Sequence, residues 1–485
     1  MKSGPQVSLF QIKRIHMKVE QLYTNCLAHG AYYIESNGEA AVIDPLREVE
    51  PYIQMAEDRG AKIKYVFETH FHADFVSGHQ DLAQKTGATV VYGPTTMETG
   101  FEALIAEDGQ VFNLGDVTIE LLHTPGHTTE SSCFLLKDEN GKATSIFTGD
   151  TLFIGDVGRP DLAQKVIAEL TQDKLARMLY HSLHNKIMPL ADDIIVYPGH
   201  GAGSACGKNM SNETTDTLGN QKKTNYALQP MSEDEFVEQL LDGLTPPPAY
   251  FPQNVLMNIQ GYESLDSVLE EGTRKLSVRE FEAAMEQEGT VVLDTRNEDA
   301  FTTAHIPNSI FIGLDGSFAS WVGTVLKDVA TPIVYIADEG REEEVATRLA
   351  RIGFDNTLGY LGGGVDAWKA EGRAVSSIST VTAEDLWALE DASVVDVRRA
   401  SEYNSQHVKG ALNAPLDYFE DQYAKLNPEE PYFVHCAGGY RSVIFISLLK
   451  RNGYSKLVNV KGGFSAMEKT GKFDTTDYVC PTTML

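Results

Sequence analysis

The second half of this chain is written twice. VVLDTRNEDAFTTAHIPNSI at 291–310 matches VVDVRRASEYNSQHVKGALN at 394–413, so Asp294, Arg296 and His305 recur as Asp396, Arg398 and His407, each 102 positions later. YLGGGVDAWKAEG and NVKGGFSAMEKTG extend the match, with Gly363 and Gly364 recurring as Gly462 and Gly463. A period of about 100 residues is too long for a solenoid and fits a duplicated domain. Within each copy an apolar run is followed by a turn and an amphipathic stretch, as in PIVYIADEG before REEEVATRLARIGF. That succession predicts two small α/β units, each with a mainly parallel sheet.

The 485 residues exceed one ordinary core, and three domains are expected. Residues before about 230 alternate β-rich runs (AAVID, IKYVFET, TVVYG, VTIELLHT, ATSIFTGD, DIIVYPGH) with helical stretches, and polar residues cluster where the runs end. This is the layout of a layered α/β domain whose strand-end loops build a site. Between the halves, Leu244-Thr245-Pro246-Pro247-Pro248 and Phe251-Pro252 read as an ordered linker. The expected division is 1–243, a linker at 244–273, then 274–376 and 377–485.

Charge and cysteine usage narrow the partners. The formal charge of −29 repels nucleic acid and anionic membranes. The opening MKSGPQVSLFQIKRIHMKVE has no continuous apolar core, and no long apolar run follows, so neither a secretory signal nor a membrane span is expected. Five widely spaced cysteines fit free thiols in a reducing compartment, which places the chain in the cytoplasm.

The densest chemistry lies in ETHFHADFVSGH, with His70, His72, Asp74 and His79 inside ten residues. Residues two apart do not share a helical face, so they converge only in a loop at a strand end. Four later islands can join them: LHTPGH with His123 and His127, FTGD with Asp150, GRPD with Arg159, and VYPGH with Tyr197 and His200. Each sets a ligand-type residue beside Gly or Pro.

HFHAD, TPGH, TGD and YPGH together resemble the metallo-β-lactamase fold, in its glyoxalase-II-like and persulfide-dioxygenase branches, over roughly residues 8 to 230. The resemblance implies an N-terminal αββα sandwich. In the dinuclear hydrolases of this fold a further histidine follows the aspartate and serves a second metal; here that place is Phe75. A phenyl ring has no lone pair, so a second metal would keep only Asp74, His200 and a shared Asp150. One Fe(II) per chain is expected, held, as the resemblance implies, by His70, His127 and Asp150. Two histidines and one carboxylate with open positions are the donor set of non-haem Fe(II) oxygenases. His72 and Asp74 would act from behind the ligands. His123 is expected to pack or face solvent, and His79 to belong to the following helix. Tyr197 and Arg159 either touch substrate or brace loops.

In the last domain VHCAGGYRS sets Cys436 between a β-rich run and a helix, with Gly439 three and Arg441 five positions on. Loop amides, a helix N-terminus and Arg441 all favour a thiolate there. The loop resembles the active loop of rhodanese sulfurtransferases. The first copy reads YIADEGRE at the same place, with Ala337 for the cysteine and Glu342 for the arginine, and is expected to be catalytically silent. Cys206, in GHGAGSACGKN, either lines the metal site and carries sulfur, as fusions of this kind imply, or faces solvent. Cys26 carries the same two readings.

The function expected is a persulfide dioxygenase: a small thiol persulfide and dioxygen give sulfite, and Cys436 passes a second sulfane sulfur to sulfite, forming thiosulfate. The alternatives are a zinc thioester hydrolase of the glyoxalase II type and a non-enzymatic sulfur relay through Cys436 and Cys206. A homo-oligomer, a dimer first, is the ordinary outcome for such domains.

Overall fold

The computed structural model describes residues 17–161, 170–244, 246–389 and 391–480; the opening segment read for a signal falls largely outside them. The chain divides into two compact units, 1–244 with 255–261, and 245–254 with 262–485.

The first unit is built on two six-stranded sheets. Strands Lys18–Thr24, His29–Ser36 and Glu39–Ile43 run antiparallel, and Lys62–Phe67 and Thr89–Tyr92 extend that sheet in parallel. The second sheet carries Val117–His123, Ser132–Lys137 and Ala143–Gly149 antiparallel, with Ile195–Pro198 parallel to the last. Strand alternation sorts the side chains into layers. Phe134 and Leu136 join Tyr32, Ile34, Phe67 and Phe147 in a core between the sheets. Cys133 and Leu135 face the other way and pack with Leu179, Leu183, Phe236 and Leu240 from the helices Gln172–Ser182 and Glu233–Leu241 and the turn between. The helices Glu50–Arg59 and His79–Thr86 lie by the strand Lys62–Phe67, which completes the αββα order.

The second unit holds the repeat as two five-stranded sheets of one topology. In the first copy Val291–Asp294 lies between Ile310–Phe311 and Ile333–Ile336, with Thr357–Leu361 and Lys275–Leu276 beyond. The second copy orders Leu412–Asn413, Val394–Asp396, Tyr432–His435, Leu457–Val460 and Ser379–Val381 alike. All these neighbours pair in parallel. The repeated aspartate and arginine have one role in both copies: Asp294 with Arg296 and Asp396 with Arg398 form ion pairs, each with a contact at 2.6 Å.

The stretch 244–273 is more than the linker expected from its prolines. It contains the helices Phe251–Gln260 and Leu265–Gly272, because Pro252 sits in a first turn, where its missing N–H costs no helical bond. Residues 255–261 belong with the first unit. Leu265 and Val268 pack on Ala350 in the second. No helix among the described residues is long and apolar enough to cross a membrane.

Candidate metal centre and cysteine loop

The opening motif and three of the later islands come together at one end of the two sheets. The strand Lys62–Phe67 leads to His70, Val117–His123 to His127, Ala143–Gly149 to Asp150, and Ile195–Pro198 to His200. Between Phe147 and Gly149 the parallel ladder skips a residue, and the bulge turns the chain out of the sheet at Asp150. Gly149 adopts φ 47° and lies so near Thr69 that an added Cβ would stand 2.4 Å from its hydroxyl oxygen. Only glycine meets both conditions.

Donor atoms of His70, His127 and Asp150, all buried, lie within 4.8 Å of one another. His127 Nε2 is 3.4 Å from Asp150 Oδ2. Each histidine is aimed from behind. His127 Nδ1 donates to the Arg159 carbonyl at 2.8 Å. The Thr69 hydroxyl donates to Asp44 at 2.8 Å and accepts from His70 Nδ1 at 2.9 Å. Protons fixed on both Nδ1 atoms leave the Nε2 lone pairs for a cation, the usual arrangement behind a metal-binding histidine. Burial pushes His70 well below the usual imidazole range and His127 to about 4, so both rings are neutral near pH 7. Burial and the neighbouring Asp74 push the Asp150 carboxyl well up. Both Asp150 oxygens are buried without an ordinary hydrogen bond. Neutral imidazoles facing a carboxylate that resists its own charge are a donor set completed by a metal ion.

Beside this set stands a second one. Asp74, His200 and Cys206 are buried and present donor atoms within 4.8 Å of one another. His200 Nε2 lies 3.4 Å from Asp74 and 3.7 Å from Asp150. Its Nδ1 donates to the Ala28 carbonyl at 3.3 Å. Burial, then Asp74 and Asp150, push the Cys206 thiol well up. Cys206 is 1% exposed, so its solvent-facing reading is corrected. With Phe75 in place of a further ligand, the second position still keeps the sulfur of Cys206 as a donor beside Asp74 and His200.

His72 belongs to a third buried donor set, with Asp44 and Glu68. Its Nε2 is 3.1 Å from Asp44 and 3.4 Å from Glu68. Burial opposes a charge on it, but these two carboxylates hold its pKa well above the ordinary value. Because Asp44 also anchors Thr69, His72 bears on His70 through two intermediaries. Phe75 is buried, its ring 4.4 Å from His72 and 4.3 Å from His29 between centroids. Arg159 is a brace: it forms a buried two-point ion pair with Asp161 at 2.6 Å, and its amide donates to the Cys206 carbonyl. Tyr197 stacks on Phe147 at the inter-sheet core. His123 bonds the Thr129 carbonyl, and His79 opens the helix His79–Thr86, buried near Glu68. Cys133 is core, its thiol pushed up to about 11 by burial.

Sequence reasoning missed Asp44, Glu68, Thr69 and above all Asn258. The Asn258 amide donates to the carbonyls of His72 and Phe75, both at 2.8 Å, and accepts from Ser77 N–H at 2.9 Å. One side chain from the supposed linker thus ties three backbone groups of the loop carrying His70, His72 and Asp74.

In the second unit, Cys436 follows the strand Tyr432–His435 and is buried. Gly439, at φ 111°, donates its amide to Cys436 Sγ at 3.1 Å and precedes the helix Tyr440–Arg451. Gly463 crosses close beneath, and Phe464 N–H bonds the Cys436 carbonyl at 2.7 Å. Arg441 forms a two-point pair with Glu402 at 2.6 and 2.8 Å and interacts electrostatically with Cys436 as well. In the first copy the amide of Gly340, the counterpart of Gly439, donates to the Glu342 carboxylate at 2.9 Å. The loop of the first copy has thus placed its own anion on the amide whose counterpart meets the sulfur in the other copy. Glu344 is drawn aside by Arg341 and Arg348.

The sequence model of the Metallo-beta-lactamase superfamily matches residues 25–200, and that of the Rhodanese-like domain matches 277–371 and 382–470. A metallo-beta-lactamase from Staphylococcus aureus subsp. aureus COL, solved as a crystal structure, superposes with a TM-score of 0.62 at 31% identity, covering 71% of this chain and 98% of that one. The chain belongs to the metallo-beta-lactamase superfamily. Two rhodanese-like domains follow its metallo-beta-lactamase domain. Human mitochondrial persulfide dioxygenase ETHE1 is 34% identical over 165 residues, 33% of this chain and 59% of that protein. A cytoplasmic hydroxyacylglutathione hydrolase of Arabidopsis thaliana is 32% identical over 179 residues, 36% of this chain and 65% of that protein. The chain therefore spans about three fifths of the length of these curated relatives. Metal binding is the property this superfamily fold and the buried His/Asp sets have in common.

Proposed function

We propose that the metallo-beta-lactamase domain is a non-haem iron persulfide dioxygenase and that the last domain is a sulfurtransferase acting on its product. The observation that carries this reading is the His70, His127 and Asp150 set, each histidine aimed by a hydrogen bond behind it, with Phe75 where a dinuclear hydrolase has another ligand. Fe(II) held by these three residues would supply dioxygen activation, so that one persulfide, one dioxygen and one water give one thiol and one sulfurous acid. The chain's own part is positional. Thr69 and the Arg159 carbonyl hold the two imidazoles, Asn258 fixes their loop, and Arg159 with Asp161 steadies the Cys206 loop over the second donor set.

In the last domain, Cys436 thiolate attacks the outer sulfur of a persulfide, the thiol leaves, and the proton passes to the leaving sulfur. Sulfite then attacks the enzyme persulfide at that outer sulfur, releasing thiosulfate and regenerating the thiolate. Gly439 N–H serves the sulfur anion in both steps. Having both chemistries on one chain raises the effective concentration of sulfite at the second.

A second reading, a zinc thioester hydrolase, is favoured by one observation: Cys206 completes a donor set with Asp74 and His200. Assaying the purified chain separately with glutathione persulfide, another small thiol persulfide and a glutathione thioester separates the two. Oxygen uptake with sulfite release is expected from a persulfide. Thioester cleavage in the absence of oxygen, with no persulfide-dependent uptake, would overturn the dioxygenase reading.

The silent loop gives a further prediction. Ala337→Cys in a Cys436→Ser background should restore no sulfur transfer to cyanide, because Glu342 occupies the amide and its charge disfavours a thiolate. Adding Glu342→Arg should give measurable turnover. Full activity from Ala337→Cys alone would show that the acidic loop is no obstacle.

A further inference from the structure

Tyr440 lies between the amide that reaches the Cys436 sulfur and the arginine of the same loop, yet its side chain is bound by the other repeat. Its hydroxyl donates to the Gly313 carbonyl at 2.7 Å. Its ring stands edge-on to Phe311 at 5.6 Å. A Cβ added at Gly316 would meet the ring at 2.2 Å, and one at Gly313 would meet it at 3.2 Å. Neither glycine has a left-handed backbone, so what each supplies is room for the ring.

The contact continues along one face of the helix Tyr440–Arg451. Ser447 Oγ accepts from Phe311 N–H at 3.1 Å, and Arg451 donates to the Asn308 carbonyl at 2.8 Å. Positions 440, 447 and 451, seven and eleven apart, share a helical face. All three engage the backbone of 308–313 in the silent copy. The turn that receives Tyr440 is held from its own side as well, since Arg341 of the degenerate loop pairs with Asp315 at 2.8 Å.

We propose that the silent rhodanese-like domain serves as a mould for the active loop, with Tyr440 as the positioning residue that sets the Gly439 amide on the Cys436 sulfur. The inference rests on the reading of Cys436 as the sulfur acceptor. Gly439 adopts a left-handed backbone and is followed directly by Tyr440. A ring wedged against two glycines and bonded at its tip fixes the chain direction just where that amide must face the sulfur. A copy with Ala337 for the nucleophile and Glu342 for the arginine is thereby accounted for, because what the active loop draws from it is the turn at 313–316.

The test is made in the full-length chain, with thiosulfate as sulfur donor and cyanide as acceptor. Gly316→Ala alters only the silent domain. It should lower kcat/KM for the donor about tenfold, the effect of a lost hydrogen bond to a charged group, while the metal content of the first domain and the unfolding temperature of the second unit hold. Tyr440→Ala should lose as much, and Tyr440→Phe, which keeps the wedge, should retain most of the activity. In the Tyr440→Ala background Gly316→Ala should cost nothing further, since its clash is with the missing ring. Unchanged kcat/KM in Gly316→Ala, or additive losses in the double variant, would overturn the positioning role. Cys436→Ser is the separate control: sulfur transfer surviving it would remove the underlying reading, whatever Gly316→Ala does.

Discussion

Protein prepared without oxygen is expected to hold one iron per chain, and Asp150→Ala to hold none. The three donors are buried and close, and removing the carboxylate leaves two neutral imidazoles with no charge to offset the cation's desolvation. Thr69→Val tests the layer behind them. It deletes the hydroxyl that links Asp44 to His70 Nδ1 and should weaken iron binding by about 10- to 100-fold, the usual effect of losing such a partner. Elemental analysis after dialysis against a graded chelator reads both. The second donor set makes the outcome informative: two tightly held zinc ions, one of them lost in Cys206→Ser, would falsify the mononuclear account and move the chain toward the hydrolase reading.

Cys436→Ser should abolish thiosulfate formation from persulfide and sulfite, a loss of at least about a thousandfold, and leave persulfide-dependent oxygen uptake largely intact. Serine keeps the size of the side chain but supplies no thiolate at neutral pH, and the metal ligands lie in a different unit. Following oxygen, sulfite and thiosulfate in one reaction separates the cases. Sulfite should accumulate in the variant where the parent protein converts it. A parallel fall in oxygen uptake, with metal content unchanged, would mean that the two sites share a step.

The clustering of the candidate metal donors could be read in advance because most are spelled out after a strand, beside glycine. His127, Asp150 and His200 are such positions, and His70 stands in the His-rich loop that follows Lys62–Phe67. What lies behind them was not legible. Asp44 ends the β-rich run AAVID, and Glu68 lies in the run IKYVFET, where an acid reads as a strand terminus. Asn258 is one polar residue on a helix more than 180 positions away from His72. Cys206 was visible, but its burial depends on a loop held by Arg159 and Asp161, and the GRPD motif gave the pair without saying what it braces. The duplication was legible down to the parallel sheets, since two copies of one pattern must find the same fold. That one copy should carry a ring of the other was not, because Gly313 and Gly316 look like ordinary turn residues until a second chain segment is laid across them.

The place of Asn258 bears on how this polypeptide can be cut. The proline-rich stretch at 246–248 is where an engineer would separate the two units, yet a fragment ending at Leu244 would lose the side chain that closes the His72 to Ser77 loop. Three buried backbone groups would then lack their partner at the edge of the metal centre. A fragment that keeps this side chain must run past the prolines to Gly261, although the start of the helix Phe251–Gln260, up to Asn254, belongs with the second unit. A fission at the apparent boundary would therefore disturb the candidate metal centre, whereas one after Gly261 would spare the Asn258 bonds.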